Sequence, residues 1–341
     1  MLPQDSKANM KILRVFTILT LIFVISSCKK KDKLLAIKLE GYAFGTTFHI
    51  TYYDTDEHDF TKQVDSLFHL VNKSLSTYIP TSDISKINQG DTTIVVDAYF
   101  TEVYQKSLKI YNETNGVFDP TIGILVNAWG FGPKKTTTIP DSLQIDKLLE
   151  FVGFDKVQLE NGKIIKEYDS IYFDFNAIAK GYAIDIASRY LESNSITNYL
   201  VEIGGEVRVR GYNIDKNVPW QMGIENPNFD GTRSLGKVVA LKDESTATSG
   251  SYRKFKIDSV TGKKYAHILN TKTGYPAQNN LLSTTIIARL DCADVDGYAT
   301  AIMAMSFKEA TSFLAKHPEL KGFLIYSDDN GNLQTFTTSN F

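Results

Sequence analysis

Cysteine is scarce in this chain: 341 residues hold only Cys28 and Cys292. Two thiols cannot build a disulfide framework, and a zinc site of three or four cysteines is excluded by count. Histidine is nearly as sparse. His49, His58, His69, His267 and His317 are scattered and form no HExxH pair, which removes that metalloprotease class. No GxGxxG follows an expected strand, so a dinucleotide-binding oxidoreductase is disfavoured. An excess of one charge is also lacking, with 37 basic side chains against 39 acidic ones and a net charge of −2. The first 27 residues take three of the basic groups (Lys7, Lys11, Arg14) and one acidic group (Asp5), so the remainder carries −4. A mildly acidic body offers no footprint for nucleic acid. Repeats and low-complexity linkers are missing as well. At 43% apolar residues, 22 Gly and 9 Pro, the composition is that of an ordinary globular chain.

One long apolar run is present, Val15 to Ile25, behind Lys11 and Arg14. It is too short for an ordinary transmembrane helix, which needs about 20 residues. Ser26 and Ser27 follow, then Cys28. The order resembles a bacterial lipobox, in which the cysteine is lipidated and becomes the new N-terminus. A plain secretory signal with a chance cysteine is the alternative. Residues 1–27 are expected to be a lipoprotein signal peptide starting at Met10, 28–36 a lipidated tether, and 37–341 the functional domain.

Within that domain, alternation predicts strand over 34–53, and apolar spacing predicts amphipathic helices over Phe60–Leu75 and Tyr99–Tyr111. Asp119-Pro120 is suited to start a third helix, and Ile171–Phe175 reads as a short strand running into a helix over Ala177–Leu191. Residues 198–211 read as a hairpin turning at Gly204-Gly205. Further strands are expected at 220–225, 236–242, 282–288, 322–327 and 332–336, with helices at Ala293–Met305 and 307–316. The mixture lacks a regular βαβ rhythm, which favours an α+β fold over a doubly wound sheet. One compact unit is expected.

Several segments carry candidate chemistry, and each has a bland reading. Tyr78, before a proline turn, is ordinarily a packing residue. Asp119 is a good helix cap, Asp174 and Lys180 could be a surface pair, and His267 could be a satisfied structural histidine. Asp296 and Thr300 lie four apart on an expected helix, so both oxygens leave one face. Carboxylate plus hydroxyl suits a hard cation such as Mg²⁺ or Ca²⁺. A helix cap with a buried threonine explains the same spacing.

The segments occur in a fixed order: STY-x-P-x-SD-x-S from Ser76, FDPTIG from Phe118, WGFG from Trp129, D-x(5)-KGYAID from Asp174, SG-x-Y from Ser249, HIL-x(3)-TGYPA from His267 and D-x(3)-T from Asp296. In this order they resemble the FAD:protein FMN transferase family, also called the ApbE or flavin-trafficking lipoproteins, from about Gly45 to Ala301. The resemblance implies an ApbE-like (T-fold-like) α+β unit with an FAD cleft, whether in one body or between two intimate subdomains. It implies cofactor contacts at Phe44, Tyr78, Val117, Phe118, Asp119, Asp174, Lys180 and Ile268, with Tyr78 stacking on a planar ring and Lys180 near the diphosphate. It places a cation, Mg²⁺ with Ca²⁺ or Mn²⁺ as substitutes, on Asp296, Thr300 and the backbone carbonyl of Ala177. The implied reaction moves FMN from FAD to a threonine hydroxyl of an acceptor protein and releases AMP, with His267 the best candidate base. Metal activation without a histidine base, an FAD pyrophosphatase with water as acceptor, and a non-catalytic flavin-binding lipoprotein stay open. Expected acceptors are extracytoplasmic subunits of electron-transport flavoproteins, and the expected location is the cell envelope, lipid-anchored at the periplasmic face of the inner membrane. Asn270 departs from the family, which commonly has Asp there, and a turn-shaping role is expected for it.

Overall fold

Alternating and helical apolar spacing lay out the elements along the chain. The computed structural model describes residues 33–228, 232–251, 255–257, 262 and 264–341. Strands β1 (Leu35–Ala43) and β2 (Thr46–Asp54) open it, followed by α1 (Thr61–Leu75), α2 (Asp83–Asn88), α3 (Ala98–Glu113), α4 (Gly123–Ala128) and α5 (Ser142–Leu149). Next come β3 (Val157–Glu160), β4 (Lys163–Lys166), α6 (Ala179–Ser193), β5 (Tyr199–Ile203), β6 (Glu206–Arg210), β7 (Trp220–Glu225) and β8 (Leu235–Leu241). The last part holds β9 (Ser245–Gly250), β10 (Phe255–Ile257), β11 (Lys264–Ala266), β12 (Leu281–Ala288), α7 (Cys292–Ala304), α8 (Phe307–Lys316), β13 (Lys321–Ser327) and β14 (Leu333–Thr337). The lipobox Cys28, the signal segment and Tyr252 lie outside the described residues.

Eight strands form one antiparallel sheet in the order β1-β2-β5-β6-β9-β12-β13-β14. The period of two sends successive residues to opposite faces: Ile286 joins the large core under the helices, while Ile287 joins a smaller core closed by the β7–β8 hairpin. Each helix on the large-core face brings an apolar stripe. Val64, Phe68, Val71 and Leu75 of α1, and Phe100, Val103 and Ile110 of α3, are buried. Asp97 caps α3 by accepting from Phe100 N at 2.9 Å. Helix α7 differs, because every residue in it except Thr300 is buried. A helix enclosed on all sides is central, and α7 packs on β9, β12 and α6. A third cluster, around Leu125, Trp129, Phe131, Ile145 and Leu269, joins α4 and α5 to the loop after β11.

The fold is the α+β arrangement expected, in a single compact domain. Local details differ. Asp119 does not cap a helix at Pro120: its Oδ1 accepts from Thr121 N (2.8 Å) and Thr121 Oγ1 (2.6 Å), and the helix starts only at Gly123. Residues 171–175 form no strand, since only Tyr172 bridges, to Ile122, and the following helix begins at Ala179. Helices α2 and α5, the β3–β4 and β10–β11 hairpins, and the central strand β9 are additions. No helix among the described residues is long and apolar enough to cross a membrane.

Candidate active site

The β1–β2 turn has two residues, Phe44 and Gly45, both at positive φ (52° and 76°). Two such residues make the hairpin turn that matches strand twist, and there a phenylalanine is strained where Asn or Gly is usual. The turn carries the Phe44 ring to the edge of a cleft of about 870 Å³, where it meets Phe68 edge-on at 5.4 Å. Strain of this kind persists where surroundings over-determine it, commonly at binding sites.

One wall of the cleft is apolar. Phe44, Val117, Phe118 and Ile268 line it, and Tyr78 stands beside them, half-exposed. Burial, and then the charge of Asp174, push the Tyr78 hydroxyl pKa up. Asp119 sits in the same wall with both oxygens engaged, since Oδ2 also accepts from Phe154 N at 3.1 Å. Burial pushes its carboxyl up to about 6 against the pull of those donors. The turn is tied further by Gly153 N donating to Thr121 Oγ1 at 2.8 Å.

The other end is polar and is built by α6, β6 and α7. Lys180 of α6 pairs with Glu206, the first residue of β6. Asp296 of α7 lies 3% exposed and accepts from Gly181 N at 3.1 Å. Gly181 is required there, because a Cβ would collide with the Cys292 carbonyl at the start of α7. Burial raises the Asp296 carboxyl; Lys180 opposes this and Glu206 adds to it. Burial disfavours the Lys180 ammonium, but Glu206 and Asp296 more than offset that and push its pKa up. Thr300, one turn along α7, shares a hydroxyl contact with Ser249 of β9 at 3.1 Å. Ala177 lines the cleft just before α6.

His267 and Ile268 arrive on a braced loop. Trp129 Nε1 donates to Gly274 O (2.8 Å), Thr271 Oγ1 donates to Gly116 O (2.6 Å), and the Phe131 ring lies 6.3 Å from the His267 ring. Asn270 holds the turn: its Oδ1 accepts from Lys272 N (2.9 Å) and Thr273 N (3.0 Å). An aspartate offers the same acceptor, so the replacement keeps the loop.

The structure therefore brings Phe44, Tyr78, Val117, Phe118, Asp119, Asp174, Ala177, Lys180, His267, Ile268, Asp296 and Thr300 to one cleft. Asp294 points elsewhere and pairs with Lys106 at 2.8 Å. Sequence reasoning missed Glu206 and Thr248, and it gave no role to Ser249 and Gly250 of the SG-x-Y segment, all of which also line the cleft. The only signal for Glu206 was its place directly after the Gly204-Gly205 turn. Among the described residues, a separate group of possible metal ligands, Asp54, Asp56 and His58, lies outside the cleft. There the Asp54 carboxylate accepts from His58 N (3.0 Å) and faces its ring Nδ1 (2.7 Å), which closes a turn after β2.

Residues 44–324 match the ApbE family. The FAD:protein FMN transferase of Haemophilus influenzae is 34% identical over 320 residues, covering 90% of each chain. That of Vibrio cholerae is 32% identical over 327 residues, covering 94% of this chain and 95% of its own. The solved flavin transferase ApbE from Vibrio cholerae aligns with a TM-score of 0.80 at 30% identity, covering 91% of this chain and 99% of that one. The apo form of Pseudomonas stutzeri flavinyl transferase ApbE gives 0.80 at 25% identity, covering 90% and 96%.

Proposed function

The chain belongs to the ApbE family and is an FAD:protein FMN transferase, and on that premise we propose how its cleft carries out the transfer. The observation that carries the reading is the pairing, in one cavity, of an aromatic and apolar wall with a lysine–carboxylate end. FAD needs both, an apolar seat for planar rings and a charged seat for a diphosphate. Tyr78 and Phe44 offer faces for stacking, Val117, Phe118 and Ile268 exclude water, and Lys180 faces the diphosphate. A threonine hydroxyl of the acceptor attacks the phosphorus on the FMN side, its proton passing to His267. The new O–P bond forms as the bond to the AMP side breaks, and AMP leaves.

Asp296, Thr300 and the Ala177 carbonyl would hold a divalent cation. The donor set fits, since all three are hard oxygens and Asp296 and Thr300 lie one helical turn apart. When bound, Mg²⁺ would offset charge on the phosphoryl oxygens. Lys180 adds a fixed positive charge at the same end of the cleft.

The test is to incubate the mature chain with FAD, Mg²⁺ and a threonine-bearing acceptor peptide. An FMN adduct on the peptide is expected, with one AMP released per adduct. AMP without adduct means that water takes the threonine's place and the transfer reading fails.

We further propose that Cys28 carries a lipid that tethers the domain at the periplasmic face of the inner membrane, and that acceptors are extracytoplasmic flavoprotein subunits. The lipobox order of residues 11–28 supports the tether. Cys28→Ser should abolish lipid labelling; membrane retention of that variant after salt washing would sink the idea.

A further inference from the structure

Glu206 has no part in the roles described so far beyond its ion pair with Lys180. It is 5% exposed, and only one of its oxygens is used. The second, Oε2, is fully buried and has no hydrogen-bond partner. A buried carboxylate oxygen left unsatisfied is costly, and Glu206 lines the same cleft as Asp296 and Thr300.

We propose that Glu206 is a second carboxylate of the cation site, its unpartnered oxygen taking a divalent cation directly or through a coordinated water. The proposal rests on the cation reading above and adds a ligand to it. Three observations support it. The unpartnered oxygen is an acceptor in a place where the protein supplies no donor. The neighbours Lys180, Glu206 and Asp296, when ionised, sum to −1, so a divalent cation brings the cluster to +1 before a diphosphate. Glu206 is also the first residue of β6, directly after the two-glycine turn. Strand register, rather than side-chain freedom, therefore sets where its carboxylate stands.

The position explains why Lys180 is paired at all. A lone ammonium beside the cation would repel it. Tied to Glu206, the ammonium is balanced until FAD arrives with its own negative charge.

Mn²⁺ titration of the mature chain without FAD, read by the electron paramagnetic resonance of free Mn²⁺, separates the possibilities. Glu206→Gln keeps the side-chain shape and removes the charge. It should weaken Mn²⁺ binding about 10–100-fold, with thermal unfolding in chelator unchanged. Lys180→Met should bind Mn²⁺ at least as tightly as wild type, because it removes a nearby positive charge. Wild-type Mn²⁺ affinity in Glu206→Gln, with binding lost in Asp296→Asn, would overturn the role of Glu206 and leave the cation site standing. Equal weakening in Lys180→Met and Glu206→Gln would also overturn it, since the effect would then run through the ion pair. No Mn²⁺ binding by wild type, or unchanged binding in Asp296→Asn, would instead overturn the underlying cation reading.

Discussion

Helices α6 and α7 and strand β6 meet in two charge clusters, each built around buried carboxylates, and the two are built differently. In one, Arg208 of β6 pairs with Asp185 of α6 and with Asp291 at the start of α7, both at 2.6 Å. Arg189 donates to Glu102 of α3 through both terminal guanidinium nitrogens and joins it to Asp291 (2.7 Å) through Nη2, and Lys106 closes the network on Asp291 and Asp294. Asp185 also accepts from Cys292 N (2.8 Å) and Ala293 N (2.9 Å), so one helix caps the first turn of the other. In the second cluster, Lys180, Glu206 and Asp296 leave one fully buried carboxylate oxygen without a donor. The first cluster is closed and holds the elements together. The second is open toward the cleft, and its incomplete pairing is what a ligand can complete. A buried ion network with every charge met reads as scaffold; one left short reads as a site.

Removing the open cluster's carboxylate should separate function from stability most sharply. Asp296→Ala is expected to lose FMN transfer and AMP release entirely, while thermal unfolding in chelator stays unchanged or rises. Lys180 and Glu206 then remain as a balanced pair. Transfer at the wild-type rate would remove Asp296 from the site, and collapse of the fold would erase the contrast with the closed network.

His267 belongs to neither cluster and tests whether the chemistry needs more than charge. His267→Ala should slow transfer by about 10²–10⁴-fold, the usual worth of a positioned base, with FAD affinity by calorimetry nearly unchanged. An equal loss in affinity would make the residue a binding group instead.

In the closed cluster the order of effects should reverse. Arg208→Met leaves Asp185, which is fully buried, without its cation, and breaking a buried pair costs about 3–5 kcal/mol. Urea unfolding should show that loss, with FAD affinity per folded molecule retained. A change within 0.5 kcal/mol, the usual range for surface substitutions, would mean the network is not what fixes α7.

The smallest effect is confined to acid. Burial raises the Asp291 carboxyl, but Lys106, Arg189 and Arg208 more than offset this and hold it down to about 2, below its ordinary 3.8. A depressed carboxyl contributes stability above its unfolded value and loses it as pH falls through the folded value. The stability advantage of wild type over Asp291→Asn should therefore be full at pH 5 and shrink between about pH 4 and pH 2. A difference that stays constant across that window would show that Asp291 gains nothing from its three cations.

Legibility from sequence followed the physics of each element. The amphipathic helices α1 and α3 declared themselves because one face of each meets water, so burial leaves a period in the sequence, and the β5–β6 hairpin did so because Val207 and Val209 face an apolar core while Arg208 and Arg210 between them face carboxylates. The small-residue helix α7 was readable, and Asp296 and Thr300 stood out within it by their spacing. Strand β9, Ser-Thr-Ala-Thr-Ser-Gly, was not readable. It lies inside the sheet between β6 and β12 with α7 packed on it, and its small side chains carry no alternation. Asp119 misled for a related reason. Asp-Pro is suited to a helix start, but the carboxylate is used by Thr121 and Phe154 before a helix can form. Asp185 of the KGYAID segment had no legible role, because the donors it satisfies lie 107 and 108 residues away in the chain.

By itself the sequence determined which residue types the chain would offer, in what order, and which side chains on a single helix or hairpin would share a face. Those are short-range properties, set by backbone periods of 2 and 3.6 residues. Only the tertiary structure decided that Lys180, Glu206 and Asp296, from three separate elements, would meet at one end of an apolar cleft. It also decided that one fully buried carboxylate oxygen among them would lack a partner. Pairing between distant charges depends on how α6, β6 and α7 pack, and no local period encodes that distance.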